Sequence, residues 1–401
     1  MTDARGGPTP DLLVVGAGVM GAWTALAARR DGRRVTLVDA FGAGHARATS
    51  GDQTRISRCS HGADSLYTRW ARDARDGWRT LEAETGEMLF RQSGALWFTG
   101  ADDNFAAATI PTLRAIGIPV ERLTTDELHA RWPQIGTDGI TGAVFEPEAG
   151  LLMAARGVAT AVRRLGEIGG SFAIADVRPG AIDGDRLLDV VDGTGRRWPA
   201  AMFVFAAGPW LPRLFPDVVG GLVTVTKQDV VYLGPPAGDT RWSDDAIPCW
   251  VDMAQPFYGL PSAEGGGFKI APDRFGPMWD PEHGERLVDP DAVRVAREYA
   301  ALRFPDLARQ PVIEARVCQY EMTPDAHFLI DRHPAFSNVW LVGGGSGHGY
   351  KHGPEIGRHV VARLDGGPAL DDDRFALGRA RRATGAIRIG GDGLVAAWER
   401  S

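Results

Sequence analysis

The sequence contains few cysteines, no excess of basic residues and no internal repeat. Its three cysteines, Cys59, Cys249 and Cys318, are far apart, which excludes a disulfide framework. With no CxxC pair and no clustered histidines, the sequence gives no sign of a zinc site, and a reducing, cytoplasmic setting is expected. The 44 Lys and Arg residues are outnumbered by 51 Asp and Glu residues, and the net charge of −7 argues against nucleic acid as a main partner.

Long uncharged stretches are also scarce. Residues 12–28 carry no charge, but glycines interrupt them, and they fall short of the roughly 20 residues that a membrane helix needs. Asp3, Pro8 and Asp11 precede them in place of a basic n-region. We therefore expect a soluble protein without a membrane partner. Its 401 residues, 44% hydrophobic and 24% charged, suffice for about two or three globular domains.

The same N-terminal stretch has the pattern of a βαβ unit. Leu12 to Val15 predicts a strand, Met20 to Arg30 a helix, and Arg34 to Val38 a second strand that ends at Asp39. Between the first strand and the helix, residues 16–21 read Gly-Ala-Gly-Val-Met-Gly. This order of strand, Gly-rich turn, helix, strand and acid is the dinucleotide-binding fingerprint.

Each residue of the fingerprint has a physical reason. Gly16 permits the tight turn, Gly18 lets backbone N–H groups approach a pyrophosphate at the helix N-terminus, and Gly21 lets the helix pack closely on the strand. Asp39 accepts hydrogen bonds from a ribose hydroxyl. A plain strand-to-helix turn is the alternative, and the motif alone leaves FAD and NAD both open.

A second Gly-rich element lies near the C-terminus. Residues 342–349 read Val-Gly-Gly-Gly-Ser-Gly-His-Gly, after a predicted strand and before a helix predicted from about 353. The N-terminus of that helix suits the pyrimidine edge of a flavin, where negative charge develops on reduction. The alternative is a flexible turn, but so many glycines imply the close approach of a bulky group.

Between these two elements the alternation of strands and helices is interrupted. The apolar periodicity predicts helices over 65–85 and 290–303. Strands are predicted at Phe172 to Val177 and Leu187 to Val191, and strand signals across 222–271 predict an antiparallel sheet separate from the parallel one. An interrupted dinucleotide-binding fold favours FAD over NAD.

Further motifs carry a family resemblance over about residues 11 to 380. They are Asp39-Ala40-Phe41, Thr54-Arg55-Ile56-Ser57-Arg58, Arg131-Trp132-Pro133, Phe145-Glu146-Pro147 with Gly150, Ala206-Ala207-Gly208-Pro209-Trp210, Val317-Cys318-Gln319-Tyr320 and Ser346-Gly347-His348-Gly349-Tyr350-Lys351. With the first glycine motif, they make the chain resemble the monomeric sarcosine oxidase and N-methyltryptophan oxidase family, within the D-amino-acid-oxidase-type FAD-dependent oxidoreductases.

The resemblance implies an α/β fold with two domains. A glutathione-reductase-like FAD-binding domain with a parallel sheet would comprise residues 1–90, 151–220 and 321–401. An α+β substrate domain with a mixed or antiparallel sheet would comprise 91–150 and 221–320.

The resemblance also implies FAD as the cofactor, attached through a thioether to Cys318. Without the family match, Cys318 would be interpreted as a small buried hydrophobic residue. The implied cofactor-binding residues are Gly16, Gly18, Gly21, Asp39, Ala40, Ser50, Thr54, Arg55, Cys318, Gly344, Gly345, Gly347, His348, Gly349 and Lys351.

Catalytic roles are implied for Lys269, Tyr258, Asp273 and Arg55, and substrate contacts for Arg58, Lys351, Tyr320 and Tyr350. In the resembling enzymes a lysine at the position of Lys269 helps oxygen accept its first electron, and the cations matching Arg58 and Lys351 bind a substrate carboxylate. From the residues alone, the alternative for Lys269 is a solvated edge lysine. For both arginines it is a surface charge or an ion-pair partner, and for Lys351 an ordinary surface charge.

The sequence departs from the family where a substrate side chain and amine would lie. Ser50 and Asp52 replace a histidine-bearing stretch of sarcosine oxidases, Asp273 stands where those enzymes have a histidine, and Tyr350 replaces a phenylalanine. These departures leave the substrate open.

The expected function is oxidation of a small amino acid with a secondary amine, such as an N-methyl amino acid or a cyclic imino acid. Oxygen would accept the electrons and form peroxide, and the enzyme would be a monomer with no metal. The alternatives are a flavin dehydrogenase with another electron acceptor and a non-catalytic FAD-binding scaffold, with an NAD-dependent dehydrogenase as a weaker third.

Overall fold

The computed structural model describes residues 9–101, 103–368 and 373–382; the predicted domain ends at 1–8 and 383–401 lie outside them. The described α-helices are α1 (Val19–Arg30), α2 (Ser65–Thr85), α3 (Asn104–Ala115), α4 (Thr125–Arg131), α5 (Ala154–Glu167), α6 (Leu211–Leu214), α7 (Pro216–Val219), α8 (Pro290–Arg303), α9 (Gly353–Leu364) and α10 (Leu377–Arg382). The described strands are β1 (Leu12–Val15), β2 (Val35–Asp39), β3 (Thr54–Ser57), β4 (Phe90–Arg91), β5 (Ala95–Thr99), β6 (Glu121–Leu123), β7 (Gly142–Glu146), β8 (Gly150–Met153), β9 (Ser171–Ile174), β10 (Val177–Pro179), β11 (Ile182–Asp183), β12 (Arg186–Leu187), β13 (Asp189–Asp192), β14 (Arg197–Pro199), β15 (Met202–Phe205), β16 (Thr224–Leu233), β17 (Cys249–Asp252), β18 (Phe257–Leu260), β19 (Phe268–Pro272), β20 (Val312–Met322), β21 (Leu329–Arg332) and β22 (Val339–Gly343).

A six-stranded sheet in the order β21-β22-β15-β1-β2-β9 contains the predicted βαβ unit. Its strands are parallel except for β21 at the edge. Successive side chains of β1 point to opposite faces, so Leu12 and Val14 join the core beneath α1 and α9, while Leu13 and Val15 join the core of the other face. Burial on both faces is typical of parallel sheets and explains the uninterrupted apolar run of β1.

An eight-stranded sheet in the order β20-β16-β19-β18-β17-β5-β7-β6 is largely antiparallel, with one parallel pair between β17 and β5. Its core is rich in aromatic side chains, among them Phe98, Trp250 and Phe268, which pack with Tyr299 of α8 and with Phe304. The predicted class, α/β with a second, mixed sheet, is confirmed.

The predicted helices are present as α2 and α8. Asp64 begins α2 by accepting hydrogen bonds from the N–H groups of Leu66 and Tyr67, and Gly86 ends it with φ of 70°. In the described part of the chain, every helix is too short or too polar to span a bilayer.

Two predicted strands are wrong as single elements. Phe172 to Val177 is divided between β9, which extends the six-stranded sheet, and β10, which pairs with β13 in a small separate sheet. Leu187 to Val191 is divided between β12 and β13, because Leu188 leaves the first pairing and donates its N–H to Ala181. Apolar periodicity predicts extended backbone but does not predict which sheet the backbone joins.

Candidate active site

In the turn between β1 and α1, two positions have no space for a side chain and therefore require glycine. Gly16 has φ of 105°, and a Cβ there would overlap the carbonyl oxygen of Ala206. A Cβ at Gly21 would overlap the carbonyl oxygen of Gly16. At Gly18, by contrast, the nearest atom to a Cβ is the Ser50 hydroxyl oxygen at 3.6 Å. A Cβ at position 18 would therefore fit without a clash, and this side of the turn faces a cleft.

Asp39 lies at the end of β2 with its carboxylate directed back at this turn. Its Oδ2 accepts the N–H of Ala17 at 2.7 Å, and its Oδ1 accepts those of Phe41 and Gly42 at 2.8 and 2.9 Å. The Ser50 hydroxyl accepts the N–H of Val19 at 3.0 Å, at the start of α1. The acid of the fingerprint thus fixes the loop around the cleft as well as lining it.

The cleft has a volume of about 420 Å³ and runs between the two Gly-rich turns. Eleven of the predicted cofactor-binding and substrate-binding residues line it: Gly16, Gly18, Asp39, Ala40, Ser50, Arg55, Tyr320, Gly345, Gly347, Gly349 and Tyr350. Of the described residues, the predicted Gly21, Thr54, Cys318, Gly344, His348, Lys351, Lys269, Tyr258, Asp273 and Arg58 are not part of its wall. Several of these lie one contact behind it.

The C-terminal turn closes the cleft with a buried acid that the sequence analysis did not single out. Glu321 accepts the N–H of Gly345 at 3.3 Å through Oε1, while its Oε2 has no hydrogen-bond partner among the described residues. Burial raises the pKa of Glu321 to about 7. Because Glu321 also lines the cleft, its carboxyl group is available to donate or accept a hydrogen bond there.

A single buried carboxylate, that of Asp52, organises the inner end of the cleft. Asp52 Oδ2 pairs with the Lys269 ammonium and with Arg55 Nη1, the latter at 2.5 Å. Asp52 Oδ1 accepts the hydroxyl of Tyr232 at 2.5 Å and pairs with Arg316 at 3.2 Å. Burial opposes ionisation of Asp52, but the charges of Lys269 and Arg55 hold its pKa well below the usual range.

Lys269 is 1% exposed, so its interpretation as a solvated edge lysine is wrong. It points from β19 between the rings of Tyr232 and Tyr258, with its ammonium 5.7 Å from each ring centre. Burial lowers the pKa of Lys269, and Asp52 opposes that shift. Lys269 lies close to Arg55, which lines the cleft, because both cations pair with the carboxylate of Asp52.

Cys318 lies in the middle of β20, opposite Gln228 of β16, and is 8% exposed. Arg55 Nη2 lies 3.4 Å from its sulfur and also donates to the carbonyl of Thr49 at 2.6 Å. The cysteine is therefore adjacent to the residue that connects the cleft wall to Asp52.

Arg58 and Lys351 come from distant segments and lie close enough for the charge of one to act on the other. The Arg58 guanidinium lies 4.6 Å from the ring centre of Trp97 and donates to the carbonyl of Ser60. Lys351 is 3% exposed and donates to the carbonyl of His348 at 3.0 Å, so it is not a surface charge. Burial and the charge of Arg58 lower the pKa of Lys351 well below its ordinary value.

Asp273 follows β19 and is partly buried. Burial raises the pKa of its carboxyl group, and Arg58 opposes that shift. Arg58, one of the two residues predicted to bind a carboxylate, is therefore close enough for its charge to act on the carboxyl group of Asp273.

The predicted tyrosines have different surroundings. The Tyr320 and Tyr258 hydroxyls are 3.4 Å apart, and burial raises the pKa of both. The Tyr350 hydroxyl donates to the carbonyl of Ala154 at 2.6 Å, and its ring stacks on Trp78 at 5.4 Å. Tyr350, which also lines the cleft, thus uses its hydroxyl to hold the Gly-rich turn.

The described residues fit FAD. A side chain at position 18 would not clash with the rest of the protein, so packing does not explain why this residue is glycine. The glycine instead leaves space for a group that approaches the backbone from the cleft. The cleft connects this turn to the second Gly-rich turn and to Arg55, next to Cys318. The buried, unpartnered Oε2 of Glu321 supplies a further polar contact along the way.

Comparison with known proteins agrees with this geometry. Sarcosine oxidases and N-methyl-L-tryptophan oxidases are among the relatives of the chain. Peroxisomal sarcosine oxidase of Homo sapiens is 30% identical over 87% of this chain and 90% of its own length. Monomeric sarcosine oxidase of Bacillus sp. (strain B-0618) is 29% identical over 88% of this chain and 91% of its own.

The fold also matches solved structures. L-proline dehydrogenase from P. horikoshii superposes with a TM-score of 0.82 at 19% identity, covering 97% of this chain and all of that chain. Finally, the family model described as FAD dependent oxidoreductase matches residues 11–363. With the cleft, its two Gly-rich turns and this match over most of its length, the chain belongs to the family of FAD-dependent oxidoreductases.

Proposed function

We propose that this protein oxidises a small amino acid bearing a secondary amine, such as an N-methyl amino acid or a cyclic imino acid, and reduces oxygen to hydrogen peroxide. The observation that carries the proposal is that Asp52 holds Lys269 and Arg55 together at the inner end of the cleft, with Cys318 beside Arg55. When bound, FAD would take a hydride from the carbon next to nitrogen and pass the electrons to oxygen.

Arg58 and Lys351 bind the carboxylate of the substrate. The charge of Arg58 lowers the pKa of Lys351, and an anion that joins the two cations offsets this repulsion. The arginine also offers a planar fork for bidentate pairing. Fixing the carboxylate fixes the adjacent C–H bond, and a misplacement of about 1 Å costs on the order of a hundredfold in rate.

Asp273 and Tyr258 hold the substrate amine in its uncharged form. Burial raises the pKa of Asp273, which suits a group that exchanges a proton with an amine. Tyr258 and Tyr320, joined through their hydroxyls, form a polar edge beside Lys269. Tyr320 and the ring of Tyr350 border the substrate from the cleft side.

Lys269 assists oxygen. A fixed cation in a site without water stabilises the negative charge that oxygen acquires with its first electron. Arg55 extends the same positive field to the cleft wall, and Asp52 keeps both side chains in place.

We also propose that FAD is covalently attached through the sulfur of Cys318. The support is the short distance from the sulfur to Arg55, which lines the cleft. Acid precipitation of the purified protein should leave the yellow chromophore in the pellet, and a colourless pellet would contradict attachment.

The predicted division into two domains and the monomeric, cytoplasmic state remain part of the proposal. The strands of the six-stranded sheet fall within 1–90, 151–220 and 321–401. Those of the eight-stranded sheet fall within 91–150 and 221–320, except for the end of β20. The relative named monomeric sarcosine oxidase supports the monomer, and three cysteines outside any disulfide support a reducing compartment.

One observation favours a second function, a dehydrogenase that passes electrons to an acceptor other than oxygen. The ammonium of Lys269 is paired directly with Asp52, so a carboxylate offsets part of the positive charge that oxygen would need. A solved structure with the same fold is named as an L-proline dehydrogenase.

The experiment is anaerobic mixing of the yellow protein with a panel of secondary-amine amino acids, followed by oxygen. Bleaching by an N-methyl or cyclic amino acid, then fast recovery of colour with peroxide release, supports the oxidase. Bleaching with slow recovery in air but fast recovery with a quinone supports the dehydrogenase. No bleaching by any member of the panel rejects both and favours a scaffold.

A further inference from the structure

Three histidines from distant parts of the sequence converge behind the C-terminal Gly-rich turn. His61 lies in the loop before α2, His348 in the turn itself, and His352 at the start of α9. One ring nitrogen of each lies within 4.8 Å of one ring nitrogen of each of the others. They are not part of the cleft wall among the described residues, so the proposed oxidation does not use them directly.

The rings are spaced like imidazoles around one ion. The ring centres of His61, His348 and His352 are 5.3, 5.6 and 6.0 Å apart, and no pair is stacked. With metal–nitrogen bonds of about 2.0–2.1 Å, three imidazoles bound to one ion place their ring centres roughly 5–5.5 Å apart. The ring centres are therefore already close to the separations that a shared ion requires, and mainly a rotation of the rings would direct their nitrogens at one point.

His352 supplies an independent observation. The residue is fully buried, and neither of its ring nitrogens has a hydrogen-bond partner among the described residues. A buried imidazole ordinarily has at least one partner, so this one needs an explanation, and an ion or a water molecule is the usual one.

His348 is oriented as a metal ligand is. Its Nε2 lies 2.9 Å from the carbonyl oxygen of Ala326, which can only accept a hydrogen bond. The proton is therefore on Nε2, and Nδ1 keeps its lone pair. Metal-binding histidines are held in this way, with one nitrogen donating to a carbonyl and the other left for the ion.

Two cations lie close to the histidine cluster. The charges of Lys351 and Arg58 act on both His61 and His352. They disfavour a highly charged complex, so a hydroxide or another anion is the expected fourth ligand.

We propose that His61, His348 and His352 form a binding site for a late first-row transition-metal ion, with zinc as the expected occupant. Three imidazole nitrogens and no carboxylate suit zinc or copper and not magnesium or calcium, which prefer oxygen ligands. The ion joins the loop that follows Arg58 to the turn that carries Lys351, and so connects segments from the two ends of the chain. Its role is structural, since the site lies behind the cleft.

The test uses the complete, flavin-loaded protein. After treatment with a chelator, zinc is titrated in competition with a chromophoric indicator, and bound metal is counted by mass spectrometry. We expect one zinc per chain. His352→Gln and His61→Gln should each weaken binding on the order of 100-fold, because each removes one of three ligands. His283→Gln is the matched control, since this exposed histidine lies outside the cluster, and it should bind zinc as the original protein does.

Two further measurements keep the outcome clear if a variant folds poorly. Zinc should raise the thermal unfolding temperature of the original protein and of His283→Gln, but not that of the two cluster variants. X-ray absorption at the zinc edge should show three imidazole ligands. Binding well below one zinc per chain, equal binding by the cluster variants, or fewer than three imidazoles would overturn the proposal. Tighter binding of copper(I) than of zinc would overturn zinc as the occupant.

Discussion

The two ends of the cleft differ in the groups that shape them. At the dinucleotide end the cleft is shaped by a backbone turn with Gly16 and Gly21, whose positions exclude any side chain. At the inner end Arg55 lines the wall, and the buried carboxylate of Asp52 holds it together with Lys269 behind the wall. The first end is fixed by local geometry, whereas the second depends on a balance of buried charges.

This difference separates what members of a family share from what is particular to one chain. A backbone cradle recognises a pyrophosphate, which is the same in every FAD enzyme. A charge cluster sets the reactivity of the site, and one substitution changes it. Asp52 is one of the positions predicted to depart from the sarcosine oxidases, and it binds the lysine proposed to serve oxygen.

The largest expected effect comes from removing the carboxylate at the centre of the inner end. Asp52→Asn leaves Lys269, Arg55 and Arg316 close together without their counter-charge, and breaking such a buried pair costs about 3–5 kcal/mol. Denaturant unfolding at pH 7 measures this loss. Asp244→Asn, which removes a buried carboxylate paired with Arg91 alone, is the control and should cost less.

The pH dependence of the same variant gives a second check. Since the pKa of Asp52 is depressed in the folded protein, its stabilisation is present above the ordinary carboxyl pKa and is lost as the pH falls below it. The original protein should lose more stability than Asp52→Asn between pH 5 and pH 3. If the two proteins lose the same stability over this pH range, then Lys269 and Arg55 do not lower the pKa of Asp52.

The next effect concerns oxygen. Lys269→Met should slow reoxidation of the reduced flavin by oxygen about 10²- to 10³-fold, the usual cost of removing one electrostatic group from a reacting centre. Anaerobic reduction by substrate should change far less. Stopped-flow absorbance measures the two steps separately, and Lys227→Met, on the neighbouring β16, is the matched control. Equal slowing of both steps would contradict the assignment.

The dinucleotide end is the part of the site that the sequence predicts most completely. The spacing of Gly16, Gly18, Gly21 and Asp39 reports a turn, a helix start and a strand end that are close in the chain, so a local pattern predicts them. The helix α2 was predicted for the same reason, since its apolar stripe repeats within one segment.

The inner end could be predicted only in part. Lys269 was identified through the family, but alternation in β19 does not reveal that its partner Asp52 lies 217 residues away. Glu321 follows a recognised motif, yet nothing in its neighbours along the chain shows that it is buried against Gly345. The prediction of no zinc site overlooks His348 and His352, which are four residues apart, a spacing typical of zinc ligands. Nothing in the sequence connects these two residues with His61.

A smaller effect, dependent on pH, is expected at Glu321, which lies between the two ends. Burial raises its pKa to about 7 from an ordinary value of 4.5, so the folded protein keeps a proton that the unfolded chain loses. Stability should therefore fall as the pH rises from about 4.5 to 7, by roughly 3 kcal/mol at most.

Glu321→Gln carries no such proton and should lack this fall, so its stability relative to the original protein should increase with pH. Unfolding by denaturant at pH 5 and pH 8 measures the difference. Glu314→Gln, on the same strand but more exposed, should keep the pH dependence of the original protein. A constant difference between Glu321→Gln and the original protein would show that the carboxyl group titrates normally.

The smallest expected effect is on substrate binding, through the pair formed by Arg58 and Lys351. Arg58→Ala should weaken competitive inhibition by simple carboxylates about 10- to 100-fold, since a charge-assisted hydrogen bond contributes about 1.5–3 kcal/mol. Loss of Arg58 also removes a neighbouring charge that lowers the pKa of Lys351, so Lys351 should gain positive charge and retain part of the affinity. The weakening should accordingly be smaller than the loss of both cations would give. Inhibition constants and the change in the flavin spectrum on adding the carboxylate measure the effect, with Arg131→Ala as an exposed control. If esters or amides of the substrate react as well as the free acid, then these cations do not bind a carboxylate, and the charges of the inner end serve only FAD and oxygen.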